Sequence, residues 1–251
     1  MGRWDIILID DKLVGYKLIG GGSYDFNQGI KVGNWVELWE NFMNHIQVTY
    51  NGEYNSKGIK TGRWDIKCYE QEQYKQIGGG WYDGDQGLKI GKWQELWHDR
   101  YYIHLHGEYN IKGKKMGRWN IESMGQNIGG GFYDSIYGNK TGRWVDIEKD
   151  FWRFKQVIYD GEYNIKGMKI GRWDTLYCQV EEKEYKLIGG GSYDSSSGVK
   201  IGSWVELWES FGYNLERTYI GEYNLQGDKV GIWVEMGLRN NQKLKETQYD
   251  N

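Results

Sequence analysis

Proline and alanine are both absent from this chain of 251 residues. Without the best helix former, and with 38 glycines left as the main source of turns, long helices are disfavoured and an almost all-β protein is expected. Cysteine is scarce. Cys68 and Cys178 stand two repeat periods apart in the array described below, and strands stacking at about 4.8 Å hold them far beyond the roughly 7 Å that a disulfide spans. Free thiols point to a reducing compartment. No apolar run reaches signal-peptide length or the roughly 18 residues of a membrane span, so the chain reads as soluble, intracellular and cytoplasmic. A charge excess is also missing. The formal net charge is -3 and the pI near 5.9, which supplies no basic field, so nucleic acid is not an expected partner.

What is abundant is aromatic. Phe, Trp and Tyr make up 16% of a chain that is only 39% hydrophobic, with a mean hydropathy of -0.79, so burial must rest on Trp and Tyr. These residues recur at fixed places. One unit, B, is Gly52-Glu53-Tyr54-Asn55 followed by Lys60-Thr61-Gly62-Arg63-Trp64; it returns from Gly107 to Trp119, Gly161 to Trp173 and Gly221 to Trp233, and Gly2-Arg3-Trp4-Asp5-Ile6 is the back end of another. A second unit, A, runs from Gly21-Gly22-Ser23-Tyr24-Asp25 to Trp35 and recurs at Gly79, Gly130 and Gly190. The units alternate. Trp4, Trp64, Trp119, Trp173 and Trp233 are spaced by 60, 55, 54 and 60 residues, so one A plus one B makes the period. Such self-similarity overrides any domain count taken from length.

Within each unit the periodicity is two, the mark of strand. Pairing Asn55 with Ile59 leaves a three-residue loop closed by Gly58, which makes each unit a β-hairpin. The expected fold is an elongated antiparallel hairpin repeat, a single continuous twisted sheet of roughly seventeen strands. It covers residues 1–238, with a polar tail at 239–251 that lacks the repeat. Extending the register places Tyr54 opposite Lys60, Gly52 opposite Gly62 and Tyr50 opposite Trp64, with aromatics and glycines sharing one face. Glu53, Arg63 and Asp65 occupy the other, solvated face.

Glycine-Glu-Tyr, a turn ending in glycine, then Lys-x-Gly-x-Trp resembles the MORN repeat and its looser, MORN-like variants in protist proteins, from Gly2 to about Met236. The resemblance implies an elongated, non-enzymatic scaffold for protein interaction in cytoskeletal or membrane-adjacent assemblies. No cofactor is implied.

The residues themselves hold little chemistry. His104 and His106 share a strand face, but the corresponding places in other copies read Val48 and Tyr50, Ile158 and Asp160, and Thr218 and Ile220, and no Cys pair, Ser-His-Asp set or phosphate loop accompanies them. Asp25, Asp83, Asp134 and Asp194 stand where a turn begins and read as turn residues. The candidate partner surface is Trp39, Trp97 and Trp208, extra indoles beyond the repeat tryptophan, with Val36, Leu38, Leu96 and Leu207 as an apolar strip beside them. Two alternatives draw on the same features: a carbohydrate platform on the extra indoles, and binding of anionic lipid by Lys31, Lys60, Lys89, Lys115, Lys140, Lys169 and Lys200, one per hairpin. Trp4 begins mid-unit, so its strand offers an edge for end-to-end self-association or for another chain.

Overall fold

A computed structural model describes residues 2–10, 15–98, 100–179, 182, 184–212 and 215–250. The chain divides into two compact units, residues 1–127 with 135–138, and residues 128–134 with 139–251. The first holds β1 (Gly2–Asp10), β2 (Gly15–Tyr24), β3 (Lys31–Leu38), β4 (Val48–Tyr54), β5 (Lys60–Glu70), β6 (Gln73–Asp83), β7 (Lys89–Trp97), β8 (Arg100–Tyr109) and β9 (Lys115–Ser123). Then come β10 (Gln126–Tyr133), β11 (Lys140–Ile147), β12 (Gln156–Tyr163), β13 (Lys169–Cys178), β14 (Lys186–Tyr193), β15 (Lys200–Leu207), β16 (Arg217–Tyr223), β17 (Lys229–Gly237) and β18 (Gln242–Tyr249). Strands run antiparallel to their neighbours and no helix occurs among the described residues, so the fold is the all-β array of hairpins that the composition predicts.

The register differs from strict alternation at one place in every hairpin, and the reason is glycine. Tyr54 lies opposite Lys60 as expected, but the pairing then shifts, so that Asn51 faces Asp65 and Tyr50 faces Ile66. Gly62, with φ of 64°, takes the left-handed conformation that makes the bulge. Gly52 is therefore not opposite Gly62, and Tyr50 is not opposite Trp64. The bulge instead lays the Trp64 indole flat over Gly52, where a Cβ would come within 2.2 Å of the ring. The same indole-on-glycine contact recurs at Gly22, Gly80, Gly107, Gly131, Gly161, Gly191 and Gly221.

Each of these indoles also donates its Nε1–H to the carbonyl of the residue after that glycine, at 2.9–3.2 Å, as from Trp64 to Glu53 and from Trp173 to Glu162. The polar atom that makes a buried indole costly is thus satisfied. Tyrosines interleave edge-on: Trp4, Tyr24, Trp35, Tyr54, Trp64, Tyr82, Trp93, Tyr109 and Trp119 form one run, with centroids 5.0–6.3 Å apart. In the second unit Tyr133 to Tyr249 repeats it. At about 0.5–1.5 kcal/mol beyond area burial for each such pair, these runs take the place of a second packed layer.

Outside the repeat, Trp39 packs on Val48, Ile66 and Cys68, and Phe211 on Val157 and Tyr177, forming satellite clusters beneath the A-to-B connections. Both cysteines are free and buried. The polar tail is strand: Gln242–Tyr249 pairs along β17, and Tyr249 meets Trp233 edge-on as the repeat tyrosines do.

Candidate functional site

The lysine of Lys-x-Gly-x-Trp lies four residues before its indole, and the bulge brings its ammonium over the ring face. Nζ stands 3.8 Å from the Trp64 ring centroid for Lys60 and 4.6 Å from that of Trp35 for Lys31, and later copies repeat both distances. A carboxylate two residues after each A-unit Trp collects these amines in pairs. Glu37 receives Lys31, Lys60 at 2.8 Å and the Tyr54 hydroxyl at 2.7 Å. Glu95 receives Lys89, Lys115 at 3.0 Å and Tyr109; Glu206 receives Lys200, Lys229 at 2.9 Å and Tyr223. Asp146 fills the same role for Lys140, Lys169 and Tyr163, but one methylene shorter it leaves Lys169 at 3.7 Å.

Burial pushes the carboxyls of Glu37, Glu95 and Glu206 up, and the lysines and tyrosine around each outweigh it, holding all three below the ordinary carboxylate value. Grooves open beside two of these clusters, about 340 Å³ between Tyr159 and Glu206 and about 200 Å³ at the equivalent Tyr50 and Glu95. Each carboxylate holds two ammoniums, so a cluster keeps one positive charge, but its side chains are engaged with one another as internal ties. The lysines singled out for anionic lipid lie in them.

The predicted surface residues do not come together as one face. Trp39 is 3% exposed and belongs to the cluster with Val48, Ile66 and Cys68, and Leu96 packs against that same cluster. Leu207 packs on Val157, Tyr177 and Phe211. Trp97 and Trp208 are half-buried, the first edge-on to His98 and the second beneath the Arg217 guanidinium at 5.3 Å. Val36 and Leu38 are half-buried in β3. The indoles that are open to solvent are others: Trp4, Trp81 and Trp152 are 62%, 50% and 43% exposed.

The face away from the tryptophans is where the copies differ. Ladder pairing aligns Val36, Asn51 and Asp65 in the first A–B pair. It aligns Gln94, His106 and Asn120 in the second, Val145, Asp160 and Asp174 in the third, and Val205, Ile220 and Val234 in the fourth. Two residues before the last member of each row stand Arg63, Arg118 and Arg172, and then Ile232. Arg63 and Arg172 bond Asp65 and Asp174 at 2.8 and 2.6 Å, while Arg118 bonds Asn120 at 3.0 Å. The fourth pair replaces this polar couple by Ile232 and Val234, beside Ile220 and Val230, with Ile220 41% and Ile232 55% exposed. In the second pair the same place is a polar groove of about 540 Å³ lined by Lys92, Gln94, His106 and Arg118.

The other polar signals resolve locally. His106 Nε2 lies 3.1 Å from Glu122, and His104 meets the Gln94 amide. Among the described residues no group of three or more His, Cys, Asp or Glu is placed to hold a metal. Asp25, Asp83 and Asp194 accept backbone N–H bonds from the turns that follow them. No protein-family model and no curated protein matches the chain. The likeness to MORN repeats rests on the residues of the hairpins alone.

Proposed function

We propose that the chain is a non-enzymatic hairpin-repeat scaffold that binds a protein partner on the outward face of its fourth A–B pair, in the manner of the cytoplasmic, cytoskeleton-associated assemblies that the MORN likeness implies. The observation that carries this reading is the trio Ile220, Ile232 and Val234, apolar and partly exposed where the three sister copies carry Asn51, His106 or Asp160 and an Arg with Asp or Asn; Val205 beside them matches Val36 and Val145. Nothing in the hairpin requires aliphatic side chains there, because the sister copies fold with Arg and Asp or Asn. Contiguous exposed apolar surface of this kind marks interaction sites. The carbohydrate reading loses Trp39 to a buried cluster, and the lipid reading rests on lysines already tied to carboxylates.

The test is a double substitution, Ile232→Arg with Val234→Asp, which rewrites the fourth copy in the residues of its sisters. The thermal midpoint is expected to stay within a few degrees while proteins cross-linked to the wild-type chain are no longer captured. Retention of the same partners by the variant counts against this face. Turnover of a substrate that a single non-destabilising substitution abolishes would end the non-enzymatic reading.

A further inference from the structure

Each carboxylate that ties an A hairpin to the B hairpin after it gathers the same three donors: the lysine of its own hairpin, and the lysine and tyrosine of the next. At the opposite junction, from a B hairpin to the A hairpin that follows, those donors return around a different residue. In the second compact unit they are Lys169, Lys200 and Tyr193, and the place of the carboxylate, two residues after Trp173, holds Thr175. All four line the groove of about 340 Å³. The donors of a carboxylate tie are assembled there around a residue that has no carboxylate.

Two departures from the sister copies converge on this groove. Ile66 holds the place of Thr175 in the first compact unit, where the equivalent groove is about 200 Å³; threonine is shorter and carries a hydroxyl. Asp146 stands where the other ties have glutamate, and it leaves the Lys169 ammonium at 3.7 Å, beyond hydrogen-bond length. Lys60, Lys115 and Lys229 reach their glutamates at 2.8–3.0 Å. Lys169 accordingly lines its groove, whereas Lys60 does not line the counterpart.

Like charge also faces like charge here. Asp146 holds two ammoniums and Glu206 holds two, so each cluster keeps one positive charge, and Lys169 from one meets Lys200 from the other at the groove. Burial, with repulsion from Lys140 and Lys200, pulls the Lys169 ammonium below its ordinary value against the attraction of Asp146. Tyr54, Tyr109, Tyr163 and Tyr223 give their hydroxyls to the tie carboxylates, but among the described residues no carboxylate accepts from Tyr193. The indoles of Trp173 and Trp204 supply apolar wall.

We infer that this groove binds a small monocarboxylic acid, its carboxylate among Lys169, Lys200 and the Tyr193 hydroxyl and its short apolar body against Trp173 and Trp204. The bound group does for this junction what Glu37 does for its own, offsetting two ammoniums and accepting from a phenol. A volume of about 340 Å³ stands at the lower end of ligand-site volumes and suits a molecule of a few carbons. The site uses the tryptophan-bearing face and does not rest on the partner surface of the fourth pair.

The probe is sodium butyrate, added to the intact chain at constant ionic strength. Saturable binding by isothermal titration is expected at about 1–10 mM, with a raised thermal midpoint, and butyramide, which has the same shape without the charge, is expected to give neither. Lys169→Gln should weaken butyrate binding at least tenfold. Thr175→Glu supplies the carboxylate from the chain itself, at a place where the last B hairpin already buries Glu235 to 7% exposure. That variant should melt above the wild type and no longer respond to butyrate. Butyramide binding as tightly as butyrate overturns the assignment, as does inorganic phosphate binding more tightly, or no saturable binding by about 100 mM. Unchanged affinity in Lys169→Gln, or butyrate binding that persists in Thr175→Glu, overturns it too; should Thr175→Glu fail to fold, Lys169→Gln decides alone.

Discussion

Substituting Gly161 by alanine tests the contact on which every hairpin rests. The added Cβ would lie 2.2–2.4 Å from Cδ2, Cε2 and Cγ of Trp173, where contacts under 3.0 Å do not occur, so the ring must move. Overpacking of this kind costs about 1–3 kcal/mol. A displaced indole also strains its 3.1 Å bond to the Glu162 carbonyl, for about 1 kcal/mol more. Its edge contacts with Tyr163 and Tyr193, at 5.0 and 6.3 Å, are worth about 0.5–1.5 kcal/mol each and are partly lost. The expected total is roughly 3 kcal/mol. Gly171→Ala is the control, because Gly171 has φ of 62° and open space around its would-be Cβ; it pays left-handed strain of about 1–2 kcal/mol and nothing else. Urea unfolding followed by tryptophan emission gives the ranking, and hydrogen exchange over β12 to β14 localises the loss. If Gly161→Ala costs no more than Gly171→Ala, the indole-on-glycine contact is not what holds the hairpin. Adding Trp173→Leu supplies a second check: with the ring gone, the alanine becomes nearly harmless, whereas simple additivity of the two changes would refute the contact.

Acid is expected to loosen the array through the clustered carboxylates. Glu37, Glu95 and Glu206 are held below their ordinary value in the folded chain, so their contribution is present above the unfolded value of 4.5 and is lost as pH falls through the lower folded values; thermal melts from pH 6 to 2 measure this, and a midpoint that is flat below 4.5 contradicts it. Glu206→Gln leaves Lys200 and Lys229 without a counter-charge and should lower stability by about 1–3 kcal/mol, less than the cost of breaking a fully buried pair, as read by denaturant midpoint. Base acts in the opposite sense. Burial, aided by Glu95 near the first two and by Glu206 near the third, pushes Tyr50, Tyr82 and Tyr193 up to about 12. Stability present below the ordinary value of 10 should therefore fall between pH 10 and 12, with tyrosinate absorbance rising together with unfolding rather than before it. Burial likewise raises the Cys68 and Cys178 thiols, and a thiol reagent at pH 8 should label them only as fast as the chain opens.

Much of the fold is written in the sequence because its period is local. The alternation around Tyr54 and Trp64, and the turn glycine Gly58, suffice for the hairpin, and their recurrence suffices for the array. What strict alternation hides is the bulge at Gly62: two glycines ten residues apart look alike in sequence, while one, Gly52, yields space and the other, Gly62, yields a left-handed turn. Passing the period-two register through that bulge misplaces Tyr50 and hides the flat contact of ring on glycine. The Glu37 cluster is harder to see, since Lys31, Lys60 and Tyr54 reach it from three strands. Position alone could not separate Trp39, which is buried, from Trp81, which is half exposed. The fourth-pair row was legible in principle: aligned copies show Ile232 and Val234 where arginine and aspartate or asparagine recur.

The carboxylate ties also give the array a grain. Glu37 binds the lysine of its own hairpin and the lysine and tyrosine of the next, joining an A hairpin to the B hairpin that follows. Two residues after the tryptophan of a B hairpin, the matching places hold Ile66 and Thr175, which have no charge to offer the next A hairpin, and the two grooves lie at those junctions. Charge-tied seams thus alternate with untied ones, and the untied seam between β5 and β6 has the longer backbone ladder. Acid or high salt should therefore loosen the charge-tied seams while leaving the untied ones to their backbone ladders, and a duplication or deletion that respects the grain removes or adds an A–B pair whole. Packing repeats with every hairpin, but the charged tie repeats with every second one.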